Sequence, residues 1–146
     1  MCVRSIVALL VFAVLTVVGI LNGGQLSAFI DTPSFLLTVG GGLLLALISY
    51  PFGTILGAIG KGFAREEMDQ STADSAGRAL HGLGSSFVSA GAIGTMIGLI
   101  NMGQWVTDLD AVGPGLATAA ITLYYGLFIN YAITEPLRRS VENRVT

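Results

Sequence analysis

The chain has 146 residues, of which 53% are hydrophobic and only 11% charged, with a mean hydropathy of +0.77. That balance excludes a soluble globular domain, and the formal net charge of -2 carries no information about partners. The one cysteine, Cys2, excludes a disulfide framework or a cysteine metal site. With no nucleophile–base set and no glycine-rich loop after a strand, the sequence predicts no enzyme, no metal centre, no cofactor and no nucleic-acid contact.

Four apolar stretches predict an all-α, polytopic membrane protein built as one membrane domain, because crossing roughly 30 Å of hydrocarbon takes about 20 helical residues. The predicted spans are 5–22, 34–59, 87–106 and 114–134, with an inner loop at 60–86 and a tail at 135–146. All seven basic residues (Arg4, Lys61, Arg65, Arg78, Arg138, Arg139, Arg144) lie in the N-terminus, that loop or the tail. This alternation places both termini in the cytoplasm.

The first stretch, Ser5 to Leu21 behind Arg4, reads as a signal-peptide core or as a retained helix, and its length favours retention. Asp31-Thr32-Pro33 then supplies a capping oxygen followed by a proline in the first turn, so a second helix starts near Pro33. It is expected to kink near Pro51 and resume over Phe52 to Ile59. Gly53, Gly57 and Gly60 in that resumed part suit close helix approach, or reflect the general frequency of glycine in membrane helices. The inner loop, Lys61 to Ser86, is expected to carry some helix. His81 lies within it, outside the membrane, which suits a solvated side chain better than a proton relay.

The third span contains Gly91, Gly94, Thr95 and Gly98, small residues that imply packing against protein. Asp108 and Asp110 precede the fourth span, where carboxylates suit the positive end of a helix dipole. Glu135-Pro136 is expected to close that span, with Arg138 and Arg139 at its negative end. Within it, Thr118, Thr122, Gly126, Asn130 and Thr134 recur every four residues, a row that slants by roughly 40° per step. Such threonines can bond the carbonyl four residues back and need no function. Thr95 with Gly98, however, offers a second narrow polar patch to face the row across a pore or a partner helix. No ionisable residue lies in the middle of any span, and Glu135 is the nearest. Intramembrane carboxylates mark ion pathways, so if ions move here another chain supplies the carboxylate.

Gly94-Thr95-Met96-Ile97-Gly98-Leu99-Ile100 and Gly113-Pro114-Gly115-Leu116-Ala117-Thr118-Ala119-Ala120-Ile121-Thr122-Leu123-Tyr124-Tyr125-Gly126, closing with Pro136-Leu137, resemble the last two membrane helices of the MotA/TolQ/ExbB ion-channel family. Phe29-Ile30-Asp31-Thr32-Pro33-Ser34, Val39-Gly40-Gly41 and Ile48-Ser49-Tyr50-Pro51 resemble the second helix of its MotA-like flagellar stator branch. The resemblance implies a homopentameric ring around two copies of a single-span partner of the MotB, TolR or ExbD kind, in the bacterial cytoplasmic (inner) membrane. The partner would carry a membrane aspartate, the transported ion would be H+ or Na+, and ion motive force would drive rotation. It also implies that Thr95 and Thr122 lie close to the partner's carboxylate. From the four-residue row, Thr118, Asn130 and Tyr125 join them as pore-lining candidates, with Gly91, Gly94, Gly98 and Gly126 as helix-packing positions.

Two departures from the family stand out. MotA-like subunits carry a large cytoplasmic domain where this chain has only Lys61 to Ser86, and Val88 falls at the place of a proline near the start of their third helix. Two other function classes share the gross features. A small multidrug exporter also uses four short helices but needs a membrane carboxylate; a non-transporting assembly or regulatory protein would use the hydroxyls as packing contacts alone.

Overall fold

A computed structural model describes residues 3–64, 67–104 and 112–144, with side chains from Val7 on. The expected features at Arg65, at Asp108 and Asp110, and at the end of the third span (Val106) lie outside the described residues. Helix dominates the described chain. Three helical segments are long and apolar enough to cross a membrane, Leu26–Ser49, Gln70–Gln104 and Val112–Glu142, while the apolar helical stretch at Val7–Gly23 is shorter.

Helix α1 (Val3–Gly23) runs along the edge of the molecule. It leaves most of its apolar side chains exposed, and Phe12 stacks on Phe128 with ring centroids 6.2 Å apart. A 3-10 turn (Leu26–Phe29) leads to α2 (Thr32–Ser49). There the Asp31 carboxylate accepts the Ser34 N–H at 2.9 Å and Pro33 sits in the first turn. Both features are the ones the sequence signals, since each suits a helix start that leaves N–H groups unpaired.

At the other end the structure departs from the expected kink. Tyr50 and Pro51 are extended (φ -134°, ψ 130° and φ -57°, ψ 146°), so α2 stops and a separate helix, α3 (Phe52–Phe63), begins. Proline disfavours helical backbone in the residue before it, and the Tyr50 ring lies over Gly82 of the neighbouring helix, holding the chain in the break. The 18 residues of α2 reach about 27 Å, close to the hydrocarbon thickness. Helix α3 is amphipathic: Ile55, Ala58 and Gly62 are buried, while Phe52, Leu56 and Phe63 are exposed. The glycine row of α3 is open to two readings, close helix approach or the general frequency of glycine in membrane helices. A methyl at Gly53, Gly57 or Gly60 would meet nothing within 4 Å, so these residues pack against nothing among the described residues. The small-residue face that is buried is Ser34, Thr38, Gly42 and Ala46 of α2.

Helix α4 (Gln70–Gln104) has 35 residues, about 52 Å, which makes most of the expected inner loop helical. Asp69 starts it by accepting the Ser71 hydroxyl and, at 3.2 Å, the Thr72 N–H. These hydrogen bonds hold its carboxyl down at about 2. The first turns of α4 bury alanines and Leu80 against α3 and α6 and expose Asp74, Arg78 and His81.

Helix α5 (Val112–Ile129) does not end at Glu135-Pro136 as expected. A π-turn over Asn130–Thr134 carries it into α6 (Glu135–Glu142), with the Glu135 N–H bonded to the Asn130 carbonyl five residues back. A proline ring inside a regular helix clashes with the carbonyl four residues earlier. Widening the turn by one residue relieves that clash and lets the helix continue. Leu137 (3% exposed) and Val141 (0%) of α6 then complete the inner part of the core. Arg144 donates to the Lys61 and Gly62 carbonyls at the end of α3, tying the two inner helices together.

Candidate functional site

Helix α4 is the centre of the molecule, with α2 and α5 packed along its apolar half. The approach is close because the contact positions lack side chains. A methyl on Gly91 would lie 2.8 Å from the Thr122 carbonyl oxygen, one on Gly98 2.9 Å from the Ala119 Cβ, and one on Gly126 2.5 Å from the Phe87 carbonyl oxygen. Gly94 faces the Thr122 side chain and Leu37 in the same way. Backbones this near bring hydroxyls of one helix to carbonyls of the next.

Three helices share the resulting polar seam. The Thr38 hydroxyl donates to the Thr122 carbonyl at 3.1 Å, and the Thr122 hydroxyl meets Ser34 Oγ at 3.0 Å and the Thr118 carbonyl at 3.5 Å. All three side chains are buried, Thr38 at 0%, Thr122 at 3% and Ser34 at 6% exposure. One turn away, the Thr95 hydroxyl lies 2.8 Å from the Ala119 carbonyl and 3.0 Å from that of Gly91. Thr95 and Thr122 therefore sit on facing turns of α4 and α5, inside one chain.

Above the seam opens a cleft of about 490 Å³ between the start of α2, the end of α4 and the start of α5. Asp31, Ser34, Asn101, Thr118 and Thr122 supply its polar groups, against walls such as Leu37 and Met102. Hydroxyl, amide and carboxylate oxygens suit water, a transferred proton or a hard cation, and offer nothing to a soft metal. Among the described residues no group of three or more His, Cys, Asp or Glu is placed to hold a metal ion.

The other expected positions separate from this pair. Thr118 is exposed at the cleft and bonds the Pro114 carbonyl at 3.2 Å. Asn130 lies two turns deeper, packed on Gly84, where its side-chain oxygen accepts the Thr134 hydroxyl at 2.9 Å. Tyr125 turns toward the 3-10 turn: its hydroxyl donates to the Phe29 carbonyl and accepts the Asp31 N–H at 3.0 Å, and its ring meets Phe35 edge-on. It fastens α5 to the α1–α2 connection and does not line the cleft. Glu135 is held by Arg138 through two contacts of 2.8 Å and by Arg139 through a third. These contacts engage both of its carboxylate oxygens, so Glu135 is ion-paired within the chain.

Ser34, Thr38 and Asn101 escape the sequence reading. A signal for the first two exists, because Ser34, Thr38, Gly42 and Ala46 repeat every four residues like the row on the fourth span. Asn101 carries none.

No protein-family model matches the chain. Among curated proteins it is similar to motility protein A of Aquifex aeolicus (strain VF5), 25% identical over 209 aligned positions that take in 97% of this chain and 82% of that protein. The alignment is longer than the chain itself, so it opens gaps in this sequence.

Proposed function

We propose that this chain is the ion-conducting, stator-type subunit of a membrane motor in the bacterial inner membrane. Five copies surround two copies of a single-span partner, and ion motive force becomes rotation of the ring about the partner. The observation that carries this reading is the facing of Thr95 and Thr122 beneath an oxygen-lined cleft. These are the two positions that the family resemblance assigns to the neighbourhood of the partner's aspartate. Similarity to motility protein A over nearly the whole chain supports the same reading.

In this proposal H+ or Na+ enters the cleft past Asp31, Asn101 and Thr118 and reaches the partner's carboxylate beside Thr122 and Thr95. A neutralised carboxylate crosses an apolar surface at far lower cost than a charged one, so loading and release gate the step between subunits. Output passes through the short inner face of α3, α6 and the polar turns of α4, which stand where MotA-like subunits carry a large domain.

The test is partner-dependent flux in proteoliposomes for wild type and Thr122→Val, which keeps the shape and removes the hydroxyl. The expected outcome is loss of flux with ring and partner still co-purifying. Undiminished flux removes Thr122 from the path. A second reading, a non-transporting assembly protein, is favoured by one observation: the hydroxyls of Thr95, Thr118 and Thr122 all find carbonyls within the subunit. On that reading the wild-type protein shows no flux, and Thr122→Val changes stability alone.

A further inference from the structure

A second cleft, of about 400 Å³, lies at the opposite end of the molecule between α1 and the α5–α6 helix. Leu9 and Phe12 of α1 form one wall, Tyr131 and Pro136 the other, and Arg139 and Glu135 stand at its inner rim. The cleft is mainly apolar, with the paired charges of Glu135 and Arg139 at one end. Its depth is set by sequence: Tyr131 closes the fourth apolar stretch and Arg139 follows it by two turns, the levels at which aromatic and basic side chains meet the inner membrane surface.

The charges at the rim leave one open valence. Arg138 is shared by Glu135 and Glu142. Arg139 gives only its Nε to Glu135, and its side chain is 70% exposed, so its terminal nitrogens have no protein partner among the described residues. Glu135, already met by two guanidinium groups, presents little repulsion to an incoming anion. Tyr131, 61% exposed, brings a hydroxyl to the same cleft from two turns earlier. Meanwhile α1 makes so few contacts with the bundle that the groove beside it is open in the isolated chain, and lipid is the solvent at this depth.

We propose that this cleft binds one inner-leaflet phospholipid per subunit. Arg139 holds the phosphodiester through its terminal nitrogens, Tyr131 donates a hydrogen bond to it, and one acyl chain lies along Leu9 and Phe12. Basic clefts between membrane helices on the cytoplasmic side take phospholipid headgroups by this chemistry, and the planar guanidinium suits the paired oxygens of a phosphate. The lipid wedges α1 onto α5, contact that protein side chains alone leave sparse.

The experiment is native mass spectrometry on the full-length protein, extracted in detergent and titrated with phosphatidylglycerol. The wild type is expected to hold one lipid per subunit as a distinct, collision-resistant peak. Arg139→Gln is expected to lower that occupancy by about fivefold or more, as loss of a charge-assisted pair implies, and Arg139→Lys to keep part of it. Ala8→Trp, which narrows the groove while leaving Arg139 in place, is expected to expel the lipid as well. Equal occupancy in wild type and Arg139→Gln, or a random spread of lipid numbers with no one-per-subunit peak, overturns the proposal. So does equal binding of soluble glycerol phosphate, which would make this an anion site without a lipid. Subunit count and any co-purifying partner appear in the same spectra, so failure of the lipid site is distinguishable from failure of the ring.

Discussion

Gly126 and Gly57 both sit in apolar helices, yet a methyl at Gly126 would lie 2.5 Å from a backbone carbonyl oxygen while one at Gly57 meets nothing within 4 Å. Backbone cannot rotate aside as a side chain can, so Gly126→Ala must push α4 and α5 apart. The expected loss is about 1–3 kcal/mol, the usual range for overpacking. A melting curve of the detergent-extracted protein should show it, with Gly57→Ala, equal to or slightly more stable than wild type, as the control. Ser34→Ala removes the hydroxyl that meets Thr122, and should cost about 0.6 kcal/mol, the typical value of an interhelical hydrogen bond in a membrane. Thr122 retains the Thr118 carbonyl, which keeps that loss small. At this scale the sequence speaks where spacing alone is enough: four-residue steps placed Thr122 and Gly126 on one face of α5, and the structure buries both. The repeat of Ser34 with Thr38 marks a face of α2 but not what that face meets, since the partner of Ser34 lies 88 residues away. Tyr125 read as a polar group seeking a pore, but its hydroxyl found backbone groups of the α1–α2 connection instead.

Two prolines show what decides the fate of a helix. At Pro51 the chain turns out of the helix and starts another; at Pro136 one widened turn absorbs the ring and the helix goes on. The difference lies in what continuation would bury. Beyond Pro136 stand Leu137 and Val141, which close the inner core, whereas at the α2–α3 break it is the departing Tyr50 that packs, over Gly82. Local sequence reveals the proline but not that tertiary reward, so the kink expected at Pro51 and the stop expected at Pro136 both gave way. Leu137→Ala should leave a cavity costing about 2–5 kcal/mol, seen as a lower melting temperature with helix content retained by circular dichroism.

For the molecule as a whole, seven basic residues confined to alternate segments point to an orientation with both termini inside, without any reference to packing. Reporter fusions check it: a periplasm-active enzyme inserted at Asp108 should be active, and one fused after Thr146 inactive. The reverse pattern would invert the outer and inner assignments of both clefts. Packing was less legible, since the sequence shows that small residues must meet something but not which helix they meet. Helix α4 answers that question, with α2, α3, α5 and α6 all resting on it. Its 35 residues run without a break. An unbroken rod of about 52 Å acts as a lever: a lean of about 5° at its outer end would swing the inner end sideways by some 4 to 5 Å. Any tilt of this one stiff beam would be largest at its far tip, the turns that carry Asp74 and Arg78.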